Sequence, residues 1–135
     1  MYKRQATKRI FYKEIFTLLG TKNYKEAAVK YIELAETIVS KRKDLKIGSL
    51  LILLHGLCLL KVKEPCSLIR VSINQFLNRR GVNKKLIEDT YEIMLIHFIC
   101  DVKEYNLDNY LPKIKGLLEL LPLFEEEMEL IEIEV

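Results

Sequence analysis

Two His-x-x-Cys pairs, His55 with Cys58 and His97 with Cys100, are the residues of this 135-residue chain best suited to chemistry. Three positions apart on a helix, imidazole and thiol share a face. If the two helices run side by side in the same direction, two His and two Cys would make a tetrahedral zinc site. A cysteine hydrolase built on Cys58 or Cys100 would instead need an exposed thiolate. Both pairs sit inside apolar runs, where core packing also places cysteine. Equivalent faces of successive helices, moreover, do not point at each other. Core packing is therefore preferred to zinc at His55, Cys58, His97 and Cys100, and no metal or cofactor is expected. The chain has no phosphate loop, no Gly-rich dinucleotide turn and no nucleophile motif, so it is not expected to be an enzyme.

Charge is the second chemical signal. The net charge of +3 conceals an asymmetry: residues 1–85 hold 19 Lys and Arg against 6 Asp and Glu, residues 86–135 hold 3 against 13. Within the basic part, Lys41, Arg42, Lys43 and Lys46 form one cluster, and Arg79, Arg80, Lys84 and Lys85 another. In a regular stack of helical hairpins the two lie along one edge. Cations there complement helix C-termini, or they receive an acidic protein surface or a phosphate-bearing partner. The acidic end, Glu125, Glu126 and Glu127 followed by Leu130 and Ile131, reads as a helix capping the last hairpin or as a contact segment. In the second case its carboxylates meet the basic edge of another copy, and Leu130 and Ile131 are exposed. Such a dipolar chain suits steering toward an acidic partner or self-association.

The elements that position these groups are helical. Half the residues are apolar, while only five are Gly and three Pro, which favours long helices over strands and turns. Ala27, Tyr31, Leu34 and Ile38 keep one helical face. Ile69, Ile73 and Phe76 repeat that spacing, as do Tyr110, Ile114, Leu117 and Leu121. Ile52–Cys58 aligns with Met94–Cys100 at an offset of 42 residues, the kind of period given by stacked hairpins. Gly20 is expected to end the first helix, Asn23 with Glu26 to cap the second, and Asp44 and Asn83 to cap the third and fifth. The fifth helix is expected to run unbroken from Lys84 to about Glu104, with Tyr91, Met94 and Phe98 turned inward. The third is apolar on nearly every side and must lie in the middle.

Three sparse cysteines, with no signal core behind the amino terminus, suggest a reducing, cytoplasmic setting. The apolar run from Ile47 to Leu60 is too short to span a bilayer.

Lys22-Asn23-Tyr24-Lys25-Glu26-Ala27, with Tyr31 and Leu34, resembles the second-helix half of a tetratricopeptide repeat. Phe11, Ile15 and Leu18 stand where its first helix carries large core residues. Glu14 departs from that pattern, and the period exceeds the 34 residues of that motif. Longer hairpins of this type characterise the soluble NSF attachment proteins (SNAPs), to which Lys22–Ala27 and Val102-Lys103-Glu104-Tyr105 are similar. The resemblance implies a concave face whose basic residues grip an acidic helical bundle, and a C-terminus that engages an ATPase.

Together these features predict a single all-α domain over residues 1–135, a right-handed stack of three antiparallel hairpins at about 2–40, 44–80 and 84–121. An acidic cap or tail occupies 122–135. The predicted function is a non-catalytic adaptor or scaffold holding an acidic helical partner, SNAP-like in membrane-fusion or assembly machinery. The alternative is a nucleic-acid-associated regulator using Lys3, Arg4, Lys8, Arg9 and Lys13 with the loop clusters.

Overall fold

Thirteen consecutive buried residues, Ile47 to Leu59, make the third helix the axis of the molecule. The computed structural model describes residues 9–133 and, within that span, leaves aside the side chains of residues 9–11 and 42. Lys3, Arg4 and Lys8 therefore lie outside the described residues, as do Glu134, Val135 and the side chains of Arg9, Ile10, Phe11 and Arg42.

The chain runs through α1 (Arg9–Gly20), α2 (Tyr24–Arg42), α3 (Leu45–Lys61), α4 (Cys66–Leu77), α5 (Lys84–Glu88), α6 (Tyr91–Glu104), a 3-10 turn (Asp108–Tyr110) and α7 (Leu111–Leu118). A second 3-10 segment, Glu125–Ile131, follows and is termed the strap. There is no strand among the described residues. No described helix is long and apolar enough to cross a membrane.

The turns are built alike. Lys22, Lys43, Lys63, Gly81 and Asn106 all have positive φ, between 54° and 87°. After three of them the next amide reaches five residues back: Asn23 N–H donates to Leu18 O, Glu64 N–H to Leu59 O and Leu107 N–H to Val102 O, at 2.8 to 3.0 Å. That is the Schellman bond, which satisfies the orphan carbonyls of a helix end. α1 ends at Gly20 as expected, while the left-handed residue that closes its turn is Lys22 two positions on. The capping expectations divide. Asp44 Oδ1 accepts from Ile47 N–H at 3.1 Å and Asn83 Oδ1 from Leu86 N–H at 3.3 Å. Asn23 makes no side-chain cap bond, so the predicted box with Glu26 does not form.

Packing centres on α3, which touches α2, α4, α5, α6 and the strap. Its most extensive pairing is antiparallel with α2. Glycines bring the helices close: a Cβ at Gly48 would lie 2.2 Å from Val39 Cγ2, and one at Gly56 2.7 Å from the Ile96 side chain. The repeated faces are largely buried, with Ala27, Tyr31, Ile69, Ile73 and Phe76 fully inaccessible. The third copy of that face is weaker: Ile114 is buried, but Tyr110 is exposed and Leu117 and Leu121 are half-buried.

Two expectations are corrected. The helix predicted from Lys84 to about Glu104 breaks at Asp89–Thr90, where the Thr90 hydroxyl donates to Ile87 O at 2.7 Å. Beyond the break Tyr91 and Met94, expected inside, are 45% and 61% exposed, while Ile87, Leu95 and Ile99 remain buried. The acidic segment, one of whose expected places was over the last hairpin, packs instead on α1 and α3. Phe124, just ahead of it, lies edge-on to Tyr12 and Phe16, with ring centroids 5.3 and 5.4 Å away.

Candidate functional site

Because α2 and α3 are antiparallel, the Lys43–Asp44 turn stands at one end of the molecule, and the Lys22 turn with Lys61 at the other. The Lys25–Glu64 ion pair, 3.7 Å, ties the second end together. Helix α4 then carries the chain back, so the loop after it returns to the first end. There Arg79 pairs with Glu36 of α2 at 3.0 Å. Gly81, at φ 87°, sits so close to α2 that a Cβ would lie 3.2 Å from Ser40 Cβ. The two basic clusters are thereby brought to one end. Lys41, Lys43, Lys46, Arg79, Arg80, Lys84 and Lys85 are all exposed.

The other end holds the strap and is locally balanced. Glu129 pairs with Lys22, and Lys61 Nζ donates to Glu132 O at 2.8 Å. Glu127 is fully buried: Tyr31 Oη donates to its Oε2 at 2.5 Å and Phe124 N–H to its Oε1 at 3.0 Å. Leu130 and Ile131, which a free contact segment would expose, are 1% and 4% accessible, whereas Glu125 is exposed. A cavity of about 430 Å³ continues past the strap, walled by Leu57, Leu60 and Leu130, with Lys61, Lys63, Lys103, Glu64 and Glu132 at its edge.

The His-x-x-Cys pairs have separate lives. His55 Nδ1 lies 2.8 Å from Ala28 O and Nε2 lies 2.7 Å from Ser72 Oγ. A carbonyl only accepts, so Nδ1 carries the proton and Nε2 accepts from the serine hydroxyl. His55 thus ties α2, α3 and α4 together. Burial lowers its pKa against a smaller opposing effect of the Ala28 bond. His97 Nδ1 lies 3.0 Å from Arg70 Nη1 and must accept, since guanidinium only donates. Burial, and then the Arg70 charge, lower its pKa against an opposing effect of Asp101. Burial raises the pKa of both Cys58 and Cys100, and the Cys66 thiol bonded to Cys100 raises the latter further. Among the described residues no group of three or more His, Cys, Asp and Glu is placed to hold a metal.

Sequence reasoning missed Arg70. It reaches Asp101 at 2.6 Å and Glu104 at 3.4 Å as well as His97, pinning α4 to α6. A lone arginine in an amphipathic helix carries no local mark of this role. Only its i, i+4 and i+7 partners on another helix, His97, Asp101 and Glu104, hint at a shared face. Comparison of the chain with protein-family models, curated proteins and solved structures finds no match.

Proposed function

We propose that the chain is a non-catalytic binding scaffold, a right-handed stack of three hairpins related in design to tetratricopeptide and SNAP-type repeats. It holds an acidic helical partner through Lys41, Arg42, Lys43, Lys46, Arg79, Arg80, Lys84 and Lys85, and works as an adaptor in cytoplasmic assembly or membrane-fusion machinery. The observation that carries this reading is the meeting of two basic loops at the end of the molecule away from the acidic strap. Loops distant in sequence converge there, and most of their cations face solvent. A focused positive field of this kind raises encounter rates with acidic surfaces.

Replacing Arg79, Arg80, Lys84 and Lys85 by Glu tests it. The expected result is loss of specifically captured protein in a native pull-down, with helical circular dichroism retained. An unchanged set of captured proteins removes the basic end from the reading. Generic duplex DNA and RNA serve as the control: a mobility shift with a steep logarithmic salt dependence would transfer the site to nucleic acid.

A further inference from the structure

The strap is the chain's own acidic segment lying on its basic part, and each of its anchors is simple to imitate. It needs an aromatic ring for the Tyr12–Phe16 pair, a carboxylate for the Tyr31 hydroxyl three residues later, and a second carboxylate for Lys22. Apolar residues then follow for the wall around Leu57. Two features make this seat exchangeable. The strap is a seven-residue 3-10 segment, a form with poorer hydrogen-bond geometry than an α-helix and little stability of its own. A cavity of about 430 Å³ also runs on from the strap's end, between the end of α3 and Lys103 of α6, with Glu64 and Glu132 beside Lys61 and Lys63 at its edge. A longer segment would find the apolar walls of Leu57 and Leu60 there, with charges of both signs at the rim.

From this juxtaposition we infer that the groove on α1 and α3 is a docking site for an acidic amphipathic segment of a partner protein. The strap is the built-in competitor that such a segment displaces. This deepens the scaffold reading and rests on it for the acidic character of the partner. It uses the opposite end of the molecule, however, so the two can fail separately.

The probe is a labelled synthetic peptide of residues 122–133, titrated into the full chain by fluorescence anisotropy. Intact protein binds it weakly, because the competent, open state is a minor one. Releasing the strap with Phe124→Ala and Glu127→Ala together tightens binding by roughly tenfold or more, as the population penalty disappears. Adding Lys22→Glu to the released chain removes the cation that the second carboxylate needs and weakens binding again, by roughly tenfold. Charge reversal at Arg79, Arg80, Lys84 and Lys85 leaves the peptide affinity unchanged, which separates this result from the test of the basic end. Equal peptide binding by the intact and released chains, or by the released chain with and without Lys22→Glu, overturns the proposal. If the released variant loses its helical spectrum, the milder release Glu129→Ala, which frees Lys22 and leaves the buried Phe124 and Glu127 in place, takes its part in the same comparisons.

Discussion

His55 is the residue at which the interior is most sensitive to solution conditions. It is a neutral ring shared by three helices, bonded to Ala28 O and Ser72 Oγ, and burial holds its pKa below the ordinary value of about 6.5. The unfolded chain therefore binds a proton that the folded chain refuses. The contribution of the neutral ring is complete above about pH 6.5 and is lost as the pH falls from there through the folded value. Urea unfolding between pH 7.5 and 5 is expected to show declining stability, with a slope for this group bounded by about 1.4 kcal/mol per pH unit. In His55→Asn that component of the slope disappears. At this scale the sequence was legible only in part. It placed His55 and Cys58 on one face of an apolar helix and preferred packing to zinc. It had no means of finding Ser72 or Ala28 O, since both come from other helices. Arg70 was invisible for the same reason, its partners lying 27 to 34 residues away.

Helix α3 shows how close approach is written into an element. Gly48→Ala would ordinarily gain about 1 kcal/mol from helix propensity. Here the new Cβ would meet Val39 Cγ2 at 2.2 Å, and overpacking of a tight core costs about 1–3 kcal/mol. A net loss of stability is expected, and a double-mutant cycle with Val39→Ala should return a favourable coupling. The turns make the opposite prediction. Lys43 is left-handed at φ 56°, a conformation costing an L-residue roughly 1–2 kcal/mol. Lys43→Gly removes that strain but gives a more flexible unfolded chain; chemical denaturation should register a gain of up to about 1 kcal/mol. Element positions were largely readable from periodicity and from Asp44 and Asn83. The break between α5 and α6 was not, because apolar spacing persists across Asp89–Thr90 while the backbone does not. Lysine gives no warning of a left-handed turn either: Gly20 ends α1 as expected, but the positive φ falls on Lys22.

For the whole molecule, α3 is enclosed by neighbours on all sides, whereas α7 leans mainly on α6 and the turn before it. Native-state hydrogen exchange should rank them accordingly: amides of Leu50–Leu57 exchange only through global unfolding, and those of α7 and the strap through cheaper local openings. All-helical character was legible in composition and period. The placement of the strap was not, since the Tyr31–Glu127 bond joins residues 96 positions apart and the Lys22–Glu129 pair 107. Those separations also carry a consequence for how the protein is made. A ribosome delivers α1 to α7 before it delivers Phe124, so until then the part of α1 that the strap covers stays bare even with α2 in place. Contacts of such long range form late, and during that interval α1 is a natural foothold for a chaperone or for a neighbouring nascent chain.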